Sequence, residues 1–267
     1  METIPLNTTK MLGYHEDGVG WMVFNNPERL NAISIEMNEA IPVILGAFAE
    51  NPDVRVVVMT GAGERAFVSG ADISEFDAHR ADPEAIKRFD AISARAAASY
   101  QATGKPIIAM IRGFALGGGL NTAVKADLRV ASEDAQFGIP AARLGLGYDY
   151  KSVKTIVDLV GPAYARELLI TGARFDAATA LRMGLVNRVV PAAELESTVK
   201  ELAVSIAQNA PLTIKALRAA VDEALKDAKD RDLASVEKLV ADCFTSEDYL
   251  EGRTAFREKR KPVFQGR

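Results

Sequence analysis

Lys105-Pro106-Ile107-Ile108-Ala109-Met110-Ile111 leads through Arg112-Gly113-Phe114 into Ala115-Leu116-Gly117-Gly118-Gly119, and then into Leu120-Asn121-Thr122-Ala123-Val124-Lys125-Ala126-Asp127. The run Ile107 to Ile111 is short, apolar and partly β-branched, which predicts a buried strand. Leu120 to Lys125 has helix-compatible composition, so the three glycines are predicted at a strand-to-helix turn. Residues without a Cβ let a ligand approach the backbone closely, and the first N–H groups of a helix have no partner within it. Such a turn can receive an anion. A tight turn beneath packed backbone is the alternative for a glycine triplet standing alone.

This triplet does not stand alone. Ala66-Phe67-Val68-Ser69-Gly70-Ala71-Asp72-Ile73 precedes it, Ala135-Gln136-Phe137-Gly138-Ile139-Pro140 follows it, and Ala255-Phe256-Arg257-Glu258-Lys259-Arg260-Lys261 closes the chain. In this order the set resembles the crotonase (enoyl-CoA hydratase/isomerase) superfamily over nearly the whole sequence. The resemblance implies an α/β fold, a ClpP-like spiral of ββα units, with a crotonase core over residues 1–195. It also implies a helical oligomerisation region over 196–267, building a homotrimer or a hexamer of paired trimers.

Composition agrees with a folded protein of that size. The 267 residues are 48% hydrophobic and 25% charged, enough to bury a substantial core. A net charge of -4 argues against a general nucleic-acid surface, which would show a basic excess or stripe. Cys243 is the only cysteine, so no internal disulfide can form, and it sits in an apolar helical pattern with Leu239, Val240 and Phe244. His15 and His79 are too far apart in sequence and too few for a histidine metal cluster. The N-terminus lacks the apolar core of a signal peptide, and no run reaches the length of a membrane helix. A soluble cytoplasmic protein with no membrane or nucleic-acid partner is expected.

Along the chain, Glu16-Asp17-Gly18 predicts a hairpin turn between strands Met11 to His15 and Val19 to Phe24. Ser34 is a candidate N-cap for a helix to about Glu50, Asp82-Pro83 starts another, and Asp176 caps a third ending at Gly184. Val54 to Thr60, Leu128 to Ala131 and Val186 to Val190 read as strands. Gly161-Pro162 is expected to stop a helix that begins after Asp149. Beyond Glu194 strand signals cease, and amphipathic helices break at Ala210-Pro211 and Thr245-Ser246.

By resemblance, the N–H groups at Ala71 and Gly118 form an oxyanion hole for a thioester carbonyl. Arg29, Ala32, Ser69, Asp72, Ile73, Phe256 and Lys259 are implied contacts of an acyl-CoA, the last two on a neighbouring subunit. Coenzyme A enters as part of the substrate, and no separate cofactor or metal is expected. From sequence alone Arg29 is a solvated charge and Asp72 a turn cap.

The family's two hydratase glutamates correspond to Asn121 and Ala141, neither of which exchanges a proton at neutral pH. Both positions remain candidates to line the acyl site. Asp149 matches the spacing of the catalytic aspartate in dienoyl-CoA isomerases and 4-chlorobenzoyl-CoA dehalogenases, and Tyr148 falls where methylmalonyl-CoA decarboxylase has a tyrosine. A partly apolar pocket would tune Asp149 for proton transfer; its alternative role is an N-cap. The expected activity is hydratase/isomerase-type chemistry through a thioester enolate. A double-bond isomerase, a decarboxylase and a non-catalytic acyl-CoA binder are the alternatives.

Overall fold

The computed structural model describes residues 2–75 and 82–267; His79 and the start of the segment after Phe76 lie outside the described residues. The chain forms two compact units, Met1–Glu201 and Leu202–Arg267.

The first unit opens with β1 (Glu2–Thr3) and the hairpin β2 (Met11–Glu16) and β3 (Val19–Phe24). Asp17 and Gly18 both take positive φ, 50° and 80°, as a two-residue turn matching the strand twist requires. Helix α1 (Ile35–Glu50) starts where the Ser34 hydroxyl accepts from the Met37 N–H at 3.3 Å. It lays Met37, Ile41, Ile44, Leu45 and Phe48 into the core.

A repeating pattern then begins. β4 (Val56–Gly61) joins one sheet, β5 (Ala66–Val68) joins a second, and α2 (Pro83–Ala102) follows, capped by Asp82. β6 (Ile107–Ile111), β7 (Phe114–Leu116) and α3 (Gly118–Ala123) repeat the sequence of elements. So do β8 (Leu128–Ser132), β9 (Gln136–Gly138), and the helices α4 (Ala141–Leu144) and α5 (Tyr150–Thr171). The longer strands build a seven-stranded sheet in the order β1-β2-β3-β4-β6-β8-β11, closed by β11 (Arg188–Val190). The short ones build a four-stranded sheet, β10-β9-β7-β5, with β10 (Phe175–Asp176) at its edge. Each turn of chain therefore lays a strand in one sheet, a strand in the other and a helix outside, which is the ββα spiral expected.

β4, β6 and β8 pair in parallel. Their near-continuous apolar runs, such as Val56-Val57-Val58-Met59, are buried on both faces. One expectation is corrected. The glycine triplet follows β7, not Ile107–Ile111: Gly113, at φ 60°, breaks the chain between the two strands. Gly161 (φ 73°, ψ 166°) is non-helical, so the span α5 consists of two helical segments that meet at Gly161-Pro162, where the first was predicted to stop. Asp176 caps α6 (Ala177–Met183), which stops at Gly184, as predicted.

Helix α7 (Leu195–Ala207) spans the division between the units. The second unit continues with α8 (Pro211–Ala224), α9 (Leu233–Phe244) and α10 (Glu247–Glu258). The C-terminal tail is tied to α10 through buried Asp248, which accepts from the N–H groups of Gln265 and Gly266 at 2.7 and 2.8 Å. An apolar groove of about 770 Å³ runs along this unit, lined by Leu217, Val240, Phe244 and Phe256 among others. No helix among the described residues is long and apolar enough to cross a membrane.

Candidate active site

Three sequence-distant pieces meet at the start of α3. The first is the loop Asn26–Ile33, pinned by Asn31. This fully buried asparagine accepts from the Asn26 N–H and donates to the carbonyls of Ala62 and Ala66, at 2.9, 3.0 and 2.8 Å. The second is Ser69–Ile73, which runs beside that loop: Ser69 N–H donates to Leu30, Ile33 N–H to Gly70, and Asp72 N–H to Ile33. These bonds bring the Arg29–Ala32 loop alongside Ser69, Asp72 and Ile73. The Arg29 charge acts on Asp72, whose carboxylate is held below its usual range first by the Ser74 hydroxyl. Asp72 accepts from Ser74 Oγ at 2.6 Å and from its N–H at 3.0 Å, the turn cap foreseen.

The third piece is the glycine turn. Gly117 adopts φ 52°, ψ −118°, a conformation open only to a residue without a Cβ. Its N–H is anchored to the Gly138 carbonyl at 2.8 Å. Gly119 is needed for another reason: a Cβ there would collide with the Val68 carbonyl. A Cβ on Gly118 would lie 3.4 Å from the Ala71 nitrogen, so the two residues are side by side.

The bridge to Ile33 uses the Gly70 carbonyl and the Asp72 N–H. Alternation along extended chain turns the Ala71 N–H to the opposite side. Among the described residues, neither Ala71 N–H nor Gly118 N–H donates a hydrogen bond. At six residues α3 is too short for its dipole to matter much; the individual amides are the donors.

Asn121 lies three residues beyond Gly118 on the same helix face. Its amide donates to Ser152 Oγ at 3.0 Å, and Ser152 Oγ donates to Asp149 Oδ2 at 2.6 Å. Asp149 Oδ1 also accepts the Ser152 N–H at 3.0 Å and caps α5. The expected partly apolar pocket around Asp149 is not what surrounds it. The residue is exposed, and hydrogen bonds from Ser152 hold its carboxyl below the usual range.

Tyr148 is half-buried against the core, and burial, with the Asp149 charge second, pushes its phenol up to about 12. It is a neutral hydroxyl at pH 7. Ala141, buried at the first position of α4, contributes only a methyl group.

Two residues escaped sequence reasoning. Ser152 reads as an ordinary polar residue in a first helical turn. Lys125, one turn beyond Asn121, has its ammonium pushed down by burial and is opposed by the Asp149 charge; the i,i+4 spacing from Asn121 was the available signal. Phe256 and Lys259 lie in the second unit, both exposed, with Lys259 ending α10 in a left-handed conformation. Among the described residues no group of three His, Cys, Asp or Glu side chains could hold a metal ion.

Residues 14–267 match the family model described as enoyl-CoA hydratase/isomerase. The short-chain-enoyl-CoA hydratase of Clostridium acetobutylicum is 36% identical over 92% of this chain and 94% of its own. The carnitinyl-CoA dehydratase of Proteus mirabilis is 37% identical over 90% and 92%. A crystal structure of an enoyl-CoA hydratase/carnithine racemase from Magnetospirillum magneticum superposes with a TM-score of 0.88 at 32% identity, covering 98% of this chain and 97% of that one. The chain belongs to the enoyl-CoA hydratase/isomerase family, the crotonase superfamily, and is an acyl-CoA enzyme of hydratase/isomerase type.

Proposed function

We propose that this enzyme holds an acyl-CoA with its thioester oxygen between the amides of Ala71 and Gly118 and works through the enolate. Asp149 is the proton-accepting group and Tyr148 the neighbouring hydroxyl donor. The observation that carries this reading is the pair of adjacent, unspent main-chain donors. Negative charge grows on the thioester oxygen as the enolate forms, and two preorganised N–H groups favour that state over the neutral carbonyl.

Asp149 is ionised at neutral pH and can take up a proton. Because it is held low it is a weak base, and the oxyanion donors must supply more of the barrier reduction. Asn121 and Ala141 cannot supply a second proton-transfer group, so hydration by paired carboxylates is disfavoured. Moving one proton between two carbons needs a single such group, and double-bond isomerisation fits the residues better. The depressed Asp149 also favours a second reading, decarboxylation, in which loss of CO2 generates the enolate without any base.

Arg29, Ala32, Ser69, Asp72 and Ile73 are assigned to the coenzyme A portion, with Phe256 and Lys259 reaching it from a neighbouring subunit. The exposed apolar side chains of the second unit support a homotrimer or hexamer.

Incubation with saturated, unsaturated and malonyl-type acyl-CoAs in deuterated water, followed by mass spectrometry, tests the reading. Deuterium entering at the α-carbon, reduced about a hundredfold by Asp149→Asn, is the expected result. Exchange unaffected by Asp149→Asn removes Asp149 from the chemistry, and CO2 release without exchange from saturated thioesters selects the second reading.

A further inference from the structure

Helix α10 closes on a lysine where a glycine is usual. Arg260 N–H donates to the Ala255 carbonyl at 3.1 Å and Lys259 N–H to the Phe256 carbonyl at 3.3 Å, the paired bonds of a chain that reverses through a left-handed residue. That residue is Lys259, at φ 55°, ψ 37°, a conformation that a residue with a Cβ takes only at a cost. The bonds around Glu251 supply the support. Its Oε1 accepts from Arg260 Nη1 at 2.6 Å and from the Val263 N–H at 2.8 Å, and its Oε2 accepts from Arg260 Nη2 at 2.8 Å. Arg260 Nε donates to Glu258 Oε2 at 2.6 Å. A two-pronged guanidinium–carboxylate pair fixes direction as well as charge, and Arg260 holds the Glu251 carboxyl down to about 2.

The basic run Lys259-Arg260-Lys261 is thereby divided. The Arg260 charge is spent on Glu251 and Glu258, whereas the exposed side chains of Lys259 and Lys261 have no acidic partner among the described residues. A residue kept in the left-handed region by its neighbours, with its own side chain left free, points to a use for that side chain.

We propose that Glu251 is a positioning residue, which through Arg260 holds the turn that presents Lys259 to the phosphates of coenzyme A. This rests on coenzyme A lying against Lys259 of a neighbouring subunit. The direction of the effect separates positioning from plain electrostatics. Removing a negative charge near a polyanionic ligand would, by Coulomb's law alone, tighten binding. Loss of the turn weakens it.

The test is titration calorimetry of the full chain with coenzyme A, on the wild type, Lys259→Gly, Glu251→Gln and the double variant. Glycine suits the left-handed turn, so Lys259→Gly removes the ammonium and keeps the backbone; it is expected to weaken binding about fivefold. Glu251→Gln is expected to weaken it about threefold in the wild type. In the Lys259→Gly background glycine takes the turn unaided and no ammonium remains to be placed, so the further loss should stay below about 1.5-fold. Arg260→Lys keeps the charge but cannot form the two-pronged pair, and should match Glu251→Gln. Light scattering and unfolding curves verify that each variant is folded and assembled like the wild type at the titration temperature. Tighter or unchanged binding in Glu251→Gln, or an equal loss in both backgrounds, overturns the proposal. An unchanged affinity in Lys259→Gly overturns instead the placement of Lys259 at coenzyme A, and failure of the wild type to bind coenzyme A overturns the acyl-CoA reading itself.

Discussion

Ala71 and Gly118 present main-chain N–H groups held by the core, whereas Asn121, Ser152 and Asp149 form a line of side chains across the starts of two helices. The first arrangement depends on what cannot fit: Gly117 takes a positive φ that side chains rarely adopt, and a Cβ at Gly119 would meet the Val68 carbonyl. The second depends on which polar groups happen to be present. Changing a side chain leaves a backbone donor in place, while one substitution can rewrite a proton-transfer set. Backbone donors of this kind can therefore persist while the side chains beside them change.

The sharpest break in this contrast is Gly118→Pro, which deletes the N–H itself. Proline is accepted at the first position of a helix, so folding should survive. Steady-state assays should show kcat reduced roughly a hundred- to a thousandfold. A fall of less than about tenfold would mean that the Gly118 amide does not face the developing charge.

Gly119→Ala probes the packing that holds the donors. The methyl would meet a backbone carbonyl, Val68, that cannot rotate away, and a loss of about 3 kcal/mol is expected in urea unfolding. A variant as stable as the wild type would show that α3 can shift away from β5, and that the donors are less rigid than described.

The smallest effect separates the cap from the chemistry at Asp149. Its folded-state pKa is depressed by Ser152, so its stabilisation is present above the unfolded aspartate value of about 3.9 and is lost as pH falls through the lower folded value. Asp149→Ala should cost about 1 kcal/mol at pH 7, and Asp149→Asn, itself a good cap, only a few tenths. Unfolding curves at pH 7 and at acid pH should show the alanine deficit shrinking in acid. A deficit independent of pH would assign the cost to lost packing instead of the charged cap.

Much of the fold was legible because its signals are local. Ser34, Asp82, Asp149 and Asp176 all cap helices, since a side-chain oxygen reaches an N–H only two or three residues away. The Asp17-Gly18 turn is equally local. β5, β7 and β9 were missed because three residues are too few to display a period. Their identity as strands comes from partners distant in sequence: Ala66 pairs with Phe114, and Phe114 with Gln136.

The residues themselves determined that the chain has a glycine turn for close backbone approach, that Asn121 and Ala141 cannot act as acids, and that Asp149 sits where a helix begins. Tertiary structure alone decided that the Ala71 and Gly118 amides stand together with their protons unspent. It also decided that Ser152 joins Asn121 to Asp149, and that Asp149 is exposed and held low. Side-chain chemistry and short-range caps are properties of the local chain, whereas the direction of an N–H group and the desolvation of a carboxylate depend on segments that only folding brings together.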